Sequence, residues 1–512
     1  MKYIQLLYLV FIISITLFLH HFPTYYAAIN TPNGYVYSGQ ATWFDPWDIN
    51  VYVSAIREGQ QGNLLYHNRY TTLKHNPLLV YPLYTSIGYF FRSVDPFFLF
   101  HVLAMTIGVA LVIILYILVG VFISGTWWRL VSVLLIANGG GYGFLLKKWT
   151  ELPDLTTPVI TFYEGFQRGH VGLVLLCYLS ALVLFYKGVQ TKRKLYYMVS
   201  PLLLIVSLIF HPYNIVFYIF YTILFSGYLY KKNKLLQPLY ATGIILFILF
   251  WFELFFMKYM LLSPGFSGLM GQKISSPNVW KFILTYSMLF LSAGIAIFTS
   301  KKREKMSFLM IWIIVGIVLS FIPSFGIFYL RGLLFPIIIL ALWGIQQLIK
   351  KYSLYGILFF LIFVIVTLST QGYIFYRRIS EVGGNNKWFY ISQNIKDGLN
   401  FLEQEKKQSG VLSSYYVGNI IPAHTNNLVM YGHHNVSLNT EKSLVFIHYF
   451  YGNMIEDNAQ IKSFLLKNNL RYVFYGPEER ALTRQYDVKS NGLKYAFLDV
   501  VYQNADVTIY RY

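Results

Sequence analysis

Runs of about 20 apolar residues recur along the chain between short polar segments, and a run of that length is what an α-helix needs to cross a hydrocarbon core roughly 30 Å thick. About eleven such runs can be drawn: residues 4–19, 97–123, 127–146, 170–186, 195–210, 213–230, 235–257, 280–298, 306–325, 328–349 and 354–370. Only 12% of the 512 residues are charged and 56% are hydrophobic, where soluble domains carry roughly a quarter charged residues. The fold class that follows is an α-helical polytopic membrane protein. Its 41 Lys and Arg outnumber its 21 Asp and Glu, but the basic residues form short clusters between the apolar runs. Membrane lipids and topology account for such clusters, and nucleic acid is excluded as a partner. The single cysteine, Cys177, lies in an apolar run, so no internal disulfide can form.

The clusters Lys187/Lys192/Arg193/Lys194, Lys231/Lys232/Lys234, Lys301/Lys302/Arg303/Lys305 and Lys350/Lys351 occupy alternate loops. The positive-inside rule makes those loops cytoplasmic. Counting back puts Lys2 and the N-terminus in the cytoplasm and the large loop 20–96 outside, provided the apolar piece 78–91 does not cross. That piece is short and contains Pro82, so it reads as an interfacial or re-entrant helix. Lys147 and Lys148 then fall outside, against the rule. The first run reads as a retained helix rather than a cleaved signal peptide, given the spans behind it. Beyond residue 370 the composition becomes mixed. Helical patterns such as "NKWFYISQNIKDGLNFLEQEKK" alternate with strand-like runs "GVLSS", "LVMYG", "RYVFYG" and "DVTIYRY", which predicts a membrane domain over 1–370 and an extracytoplasmic α/β domain over 371–512.

The first outer loop carries two carboxylates in "FDPWDINVYVSAIREGQ". Asp48, Tyr52, Ala55 and Gly59 recur at helical spacing and share one face, while Asp45 before Pro46 stands where a helix N-cap would. A second outer loop, "KKWTELPDLTTPVITFYEGFQRGH", supplies Asp154 and Glu164, with Arg168 and His170 at the mouth of the next span. Arg331 stands at the outer mouth of a late span, where a guanidinium either snorkels to headgroups or grips a phosphate through two parallel hydrogen bonds. His101, His170, His211, Glu253 and Arg331 lie near the outer ends of five different spans and are expected to converge on one outward-facing cavity. His433 and His434 in "VMYGHHNVS" lack metal-ligand spacing. The glycines of "NGGGYGF" have no following Lys-Ser/Thr and read as close packing or a break inside a span.

The stretches "WDINVYVSAIREGQQGNLLY" and "NPLLVYPLYTSIGYFFR", followed by the long span from residue 97, resemble the first outer loop of GT-C fold glycosyltransferases, polytopic enzymes that use polyprenyl-phosphate-linked sugars. In that family an aspartate four residues before a tyrosine precedes a "PPLY"-like segment, which here maps onto Asp48, Tyr52 and residues 77–84. The prolines are spread apart in this chain, and "KHN" at 74–76 replaces an acidic residue often found there. "FYLRGLLFPIIIL" is similar to the family segment in which a basic residue or tyrosine precedes a proline-containing late span. The resemblance implies transfer of a sugar from a polyprenyl-phosphate donor to a glycan, protein or lipid acceptor at the outer face of a prokaryotic plasma membrane, with inversion. Asp48 would be the base with Asp45 beside it, and Arg331, Tyr52, Arg168, His170, His211 and His101 would bind substrate or phosphate. Family members exist with and without metal; in a metal-dependent form Mg²⁺ or Mn²⁺ would sit on Asp154 and Glu164 with Asp48. A transporter or lipid flippase is the alternative, although the internal repeats and mid-bilayer charges of transporters are not evident. A non-catalytic membrane scaffold would leave the layer of His, Arg and acidic residues unexplained.

Overall fold

The computed structural model describes residues 2–512 except Pro158, Leu262, 264–277, 300–302, Ser324, Asn385, Lys406, Lys407 and 487–491. Lys301 and Lys302 of the third basic cluster therefore lie outside the described residues.

Every apolar run forms helix. Among the described residues, seven helices are long and apolar enough to cross a membrane: Tyr3–Ile29, Pro96–Phe122, Gly169–Thr191, Gln237–Met260, Val279–Thr299, Leu334–Tyr352 and Leu354–Ser380. The other four runs give Thr126–Asn138, Lys194–Phe210, Asn214–Asn233 and Arg303–Leu319. Helix is the outcome because hydrocarbon offers backbone N–H and C=O groups no partner, so each segment must satisfy its own. The protein is thus an integral membrane protein.

Two expected spans are interrupted. The run 127–146 ends as helix at Asn138, and Gly139 is extended before a short turn of helix resumes at Gly143–Leu146. The pair 306–325 and 328–349 is separated by a 3₁₀ turn, Gly326–Leu330, so that the later helix starts only at Leu334. The piece 78–91 contains a helix of only 9 residues, Pro82–Phe90, roughly 14 Å long at 1.5 Å per residue. It is too short to cross.

The chain divides into two compact units. The first comprises Met1–Tyr25, His101–Met257 and Lys273–Ile379; the second comprises Tyr26–Phe100, Lys258–Gln272 and Ser380–Tyr512. Most of the first outer loop thus folds with the C-terminal residues, and the helix predicted to stop near residue 370 runs on to Ser380.

In the first unit small residues set the helix contacts. A Cβ at Gly344 would lie 2.0 Å from the Ser292 carbonyl oxygen, so glycine lets Leu334–Tyr352 press against Val279–Thr299, as small residues do where there is no hydrophobic effect between helices. The basic clusters sit at helix ends: Lys231 and Lys232 close Asn214–Asn233, and Lys350 and Lys351 close Leu334–Tyr352. There the ammonium groups complement the negative end of each helix dipole. Lys147 is accommodated otherwise: its Nζ lies 4.0 Å from the centroid of the Tyr373 ring, a cation–π contact.

The second unit is α/β as expected. β1 (Tyr35–Tyr37) pairs antiparallel with β2 (Tyr390–Ser392). The main sheet uses β3 (Gly410–Leu412), β4 (Leu428–Val429), β5 (Leu470–Tyr475), β6 (Asp499–Gln503) and β7 (Thr508–Arg511) in the order β4-β3-β5-β7-β6. β3 is parallel to β4 and β5, while β7 is antiparallel to β5 and β6. Helix Gln393–Gln404 begins at Ser392, whose hydroxyl accepts from the Ile395 N–H. Helix Pro46–Gln60 packs on Pro82–Phe90 through paired glycines: a Cβ at Gly59 would lie 1.9 Å from the Thr85 oxygen, and one at Gly88 would lie 2.0 Å from the Ile56 oxygen.

Gly59→Val should push these two helices apart and lower the melting temperature of the purified protein, at a cost of about 1–3 kcal/mol for overpacking. An unchanged melting curve would contradict the close approach.

Candidate functional site

Two groups of ionisable side chains stand out, one in each unit. In the first unit Arg331 follows the 3₁₀ turn and precedes Gly332, whose φ of 82° turns the chain into the next helix. The guanidinium is nearly buried, 8% exposed. Nη2 donates to Glu164 Oε2 at 2.7 Å, and Nη1 donates to the Tyr213 hydroxyl at 2.8 Å and lies 3.1 Å from His211 Nδ1. The Tyr213 ring stacks on Phe328 at 5.0 Å and on His211 at 5.2 Å, and the His170 ring lies 5.8 Å from that of His211. Arg168 is close enough to repel Arg331 electrostatically, and both arginines are buried. A second guanidinium charge therefore lies near the salt-bridged Arg331, and guanidinium groups are suited to hold phosphate.

The local folding that places these groups is legible. Glu164 lies on the short helix Tyr163–Gln167, which meets Gly169–Thr191 so closely that a Cβ at Gly172 would be 2.4 Å from the Gly165 oxygen. His211 ends Lys194–Phe210, and Arg168 stands at the N-cap of Gly169–Thr191. These ends are opposite to the lysine-bearing ends of the same helices. Of the expected cavity residues, His170, His211 and Arg331 come together. His101 has an electrostatic neighbour in His21, and the Oε2 of Glu253 is buried with no hydrogen-bond partner among the described residues. Tyr213, two residues after His211, is not among the residues expected at the site.

In the second unit Asp48 occupies the first turn of Pro46–Gln60. Its Oδ1 lies 2.9 Å from His433 Nε2, with 23% of the Asp48 side chain and 4% of the His433 side chain exposed. His433 Nδ1 accepts the Asn435 N–H at 3.2 Å, which leaves the proton on Nε2 to be donated to Asp48. The imidazole thus fixes the carboxylate. Asp45 holds the N-cap position with φ 44° and without a side-chain cap bond, so the capping expected of it is positional only. A left-handed aspartate beside Asp48 is the kind of backbone strain that clusters at functional sites.

Asn419 locks this arrangement. Its side chain accepts from Asn50 Nδ2 at 2.7 Å and donates to the Gly432 oxygen at 2.9 Å and the Trp47 oxygen at 3.2 Å. Residues flanking Asp48 and the glycine before His433 are therefore tied to one buried amide. Tyr52 does share the helix face with Asp48, but its ring stacks on Tyr84 at 5.1 Å and Phe100 at 6.3 Å. Around the carboxylate, burial pushes the Tyr81 and Tyr415 hydroxyls above their ordinary pKa, with the Asp48 charge adding to it. Burial and neighbouring His433 lower His434, so that imidazole is held neutral. No sequence signal pointed to the pairing of Asp48 with His433, because 385 positions separate them.

Asp154 belongs to a different arrangement. Its Oδ2 accepts from Thr370 Oγ1 at 2.7 Å and from the Gly143 N–H at 2.9 Å, while a Cβ at Gly143 would lie 2.0 Å from Oδ1. The glycine run is thus a helix break shaped around a carboxylate. Mg²⁺ or Mn²⁺ favours near-octahedral oxygen ligands. Glu164 is engaged by Arg331, Asp154 by Thr370 and the glycine loop, and the described residues contain no group of three or more His, Cys, Asp or Glu able to hold a metal. The residues present do not fit such an ion.

No family model matches the sequence, and no curated protein matches it. Solved structures do resemble the fold. The apo oligosaccharyltransferase of Archaeoglobus fulgidus superposes with a TM-score of 0.60 at 14% identity over 95% of this chain and 71% of that one. The same archaeal enzyme, AglB, in complex with an inhibitory peptide and a dolichol-phosphate gives 0.55 at 13% identity over 93% and 69%. ArnT from Cupriavidus metallidurans bound to undecaprenyl phosphate gives 0.55 at 10% identity over 98% and 97%. The chain has the GT-C fold of these membrane proteins.

Burial raises the Asp154 carboxyl above its ordinary value, opposed by the bonds from Thr370 and Gly143. A carboxyl raised in the folded state stabilises the fold below its unfolded pKa and loses that contribution as pH rises through the folded value. The melting temperature of the wild type minus that of Asp154→Asn should therefore fall as pH rises above the ordinary carboxylate range, from about pH 4 upward. A difference independent of pH would contradict the buried environment.

Proposed function

We propose that this protein is a glycosyltransferase that moves a sugar from a polyprenyl-phosphate carrier to a hydroxyl of a glycan, protein or lipid acceptor at the extracytoplasmic face of a prokaryotic plasma membrane. The observation that carries the reading is the buried Arg331 centre, held by Glu164, Tyr213 and His211 at helix ends opposite the lysine-rich ones. By the positive-inside rule the lysine-rich ends and the N-terminus are cytoplasmic, so the arginine centre faces outward. Support for the donor class comes from the fold, since AglB has been captured with dolichol-phosphate and ArnT with undecaprenyl phosphate.

The chemistry asks little of the protein. The acceptor oxygen forms a bond to the anomeric carbon as the bond from that carbon to the phosphate oxygen breaks. The electron pair of the broken bond leaves with the lipid phosphate, and the acceptor proton passes to a base. A single displacement inverts the anomeric centre. Asp48 is the base, a carboxylate oriented by the His433 N–H. Arg331, with Arg168 near it, stabilises the charge on the departing phosphate. A phosphate leaving group needs no protonation, so the paired acid and base of glycosidases are not required. No step is routed through a metal.

Asp48→Asn preserves the hydrogen bond from His433 while removing the base, and it should cut turnover by roughly 10²–10⁴-fold in a folded protein. Arg331→Lys should raise KM for the donor roughly tenfold, through loss of the planar fork. Both are read with a labelled polyprenyl-phosphate sugar in proteoliposomes. Full turnover by Asp48→Asn rejects the base, and uptake of label without new linkage supports a transporter instead.

A further inference from the structure

Within the second unit, and without Asp48 in its lining, a cavity of about 930 Å³ opens between the segment 58–75 of the first outer loop and the N-terminal ends of β3, β4 and β5. That volume lies toward the upper end of the range for ligand sites, ~300–1,000 Å³. Its lining mixes amide and hydroxyl side chains with a few apolar faces. Asn63, Asn68, Gln61, Gln408 and Thr71 supply the polar part of that lining. Tyr512 and Leu466, the latter 67% exposed, present apolar surface to the same space.

Charge narrows the ligand. Lys74 and Arg471 both line the cavity. The one side-chain carboxylate among the lining residues, Glu58, is already engaged: Arg69 Nε donates to it at 2.6 Å, Asn63 Nδ2 at 2.8 Å, and His67 Nδ1 lies at 3.4 Å. His75 is fixed as a neutral imidazole, because Nε2 accepts the Asn68 N–H at 2.9 Å while Nδ1 contacts the Leu73 oxygen at 2.9 Å. The side chains of the cavity are therefore cationic on balance, and rich in groups that bond hydroxyls. A pyranose offers hydroxyls around its rim and an apolar C–H face, and an acidic one adds a carboxylate for Arg471 or Lys74.

We propose that this cavity is a binding site for an acidic oligosaccharide, separate from the transfer chemistry. Purified full-length protein in nanodiscs, titrated with fluorescent tetragalacturonate and with maltotetraose as the neutral probe, tests it. Saturable binding of the acidic probe is expected, with maltotetraose held roughly tenfold more weakly. Arg471→Ala with Lys74→Ala should weaken the acidic probe by roughly tenfold or more. Asp48→Asn should bind as the wild type does. No saturable binding of the acidic probe, equal affinity for the two, or affinity unchanged in the Arg471/Lys74 variant would overturn the site. Because these outcomes are read as binding, they stand apart from the turnover that tests Asp48.

Discussion

A charge is expensive in hydrocarbon, and a chain made largely of apolar helices can place its ionisable groups only where those helices end. In the first unit this constraint sorts the charges into two sets. Lysines gather where Asn214–Asn233 and Leu334–Tyr352 stop. The arginines, histidines and Glu164 gather at the opposite ends, around the salt bridge between Arg331 and Glu164. That pair is nearly buried and carries further bonds to Tyr213 and His211. Removing one partner would leave an uncompensated charge, so the pair holds its helix ends in register.

In the second unit the same economy of charge takes another form. Asp48 is positioned not by its own helix alone but by a histidine 385 positions away, and both are tied to the amide of Asn419. The aromatic stack of Tyr52, Tyr84 and Phe100 fixes the helix face on which Asp48 stands. Glycines at 59 and 88 bring the neighbouring helix against it. A carboxylate so supported keeps one geometry, as a catalytic base requires.

Local pattern carried much of this. Apolar length marked every long helix of the first unit, and strand-like runs marked β3, β4, β5 and β7, while β1, β2 and β6 escaped; β2, "YIS", lies inside a stretch whose pattern reads as helix, which begins only at Gln393. The break at Gly139 was foreshadowed by its glycines, but its cause was not: Asp154 lies 11 residues beyond Gly143 and Thr370 lies 216 residues beyond that. His170, His211 and Arg331 were legible as a group because each stands at the same kind of helix end. The partner of Asp48 was not legible. Periodicity reports only what lies within a turn or two, and long-range pairings such as Asp48 with His433 are set by the fold.

The most direct test of the account is the sidedness of these helix ends. Lys148 and Lys232 are both exposed, one on the arginine side and one among the lysines, while the native Cys177 is buried. Single cysteines introduced as Lys148→Cys and Lys232→Cys can be challenged with a membrane-impermeant maleimide in intact cells. The account predicts that position 148 reacts at once and position 232 only after the membrane is opened. Immediate labelling at 232 with protection at 148 would put the arginine centre in the cytoplasm and contradict it.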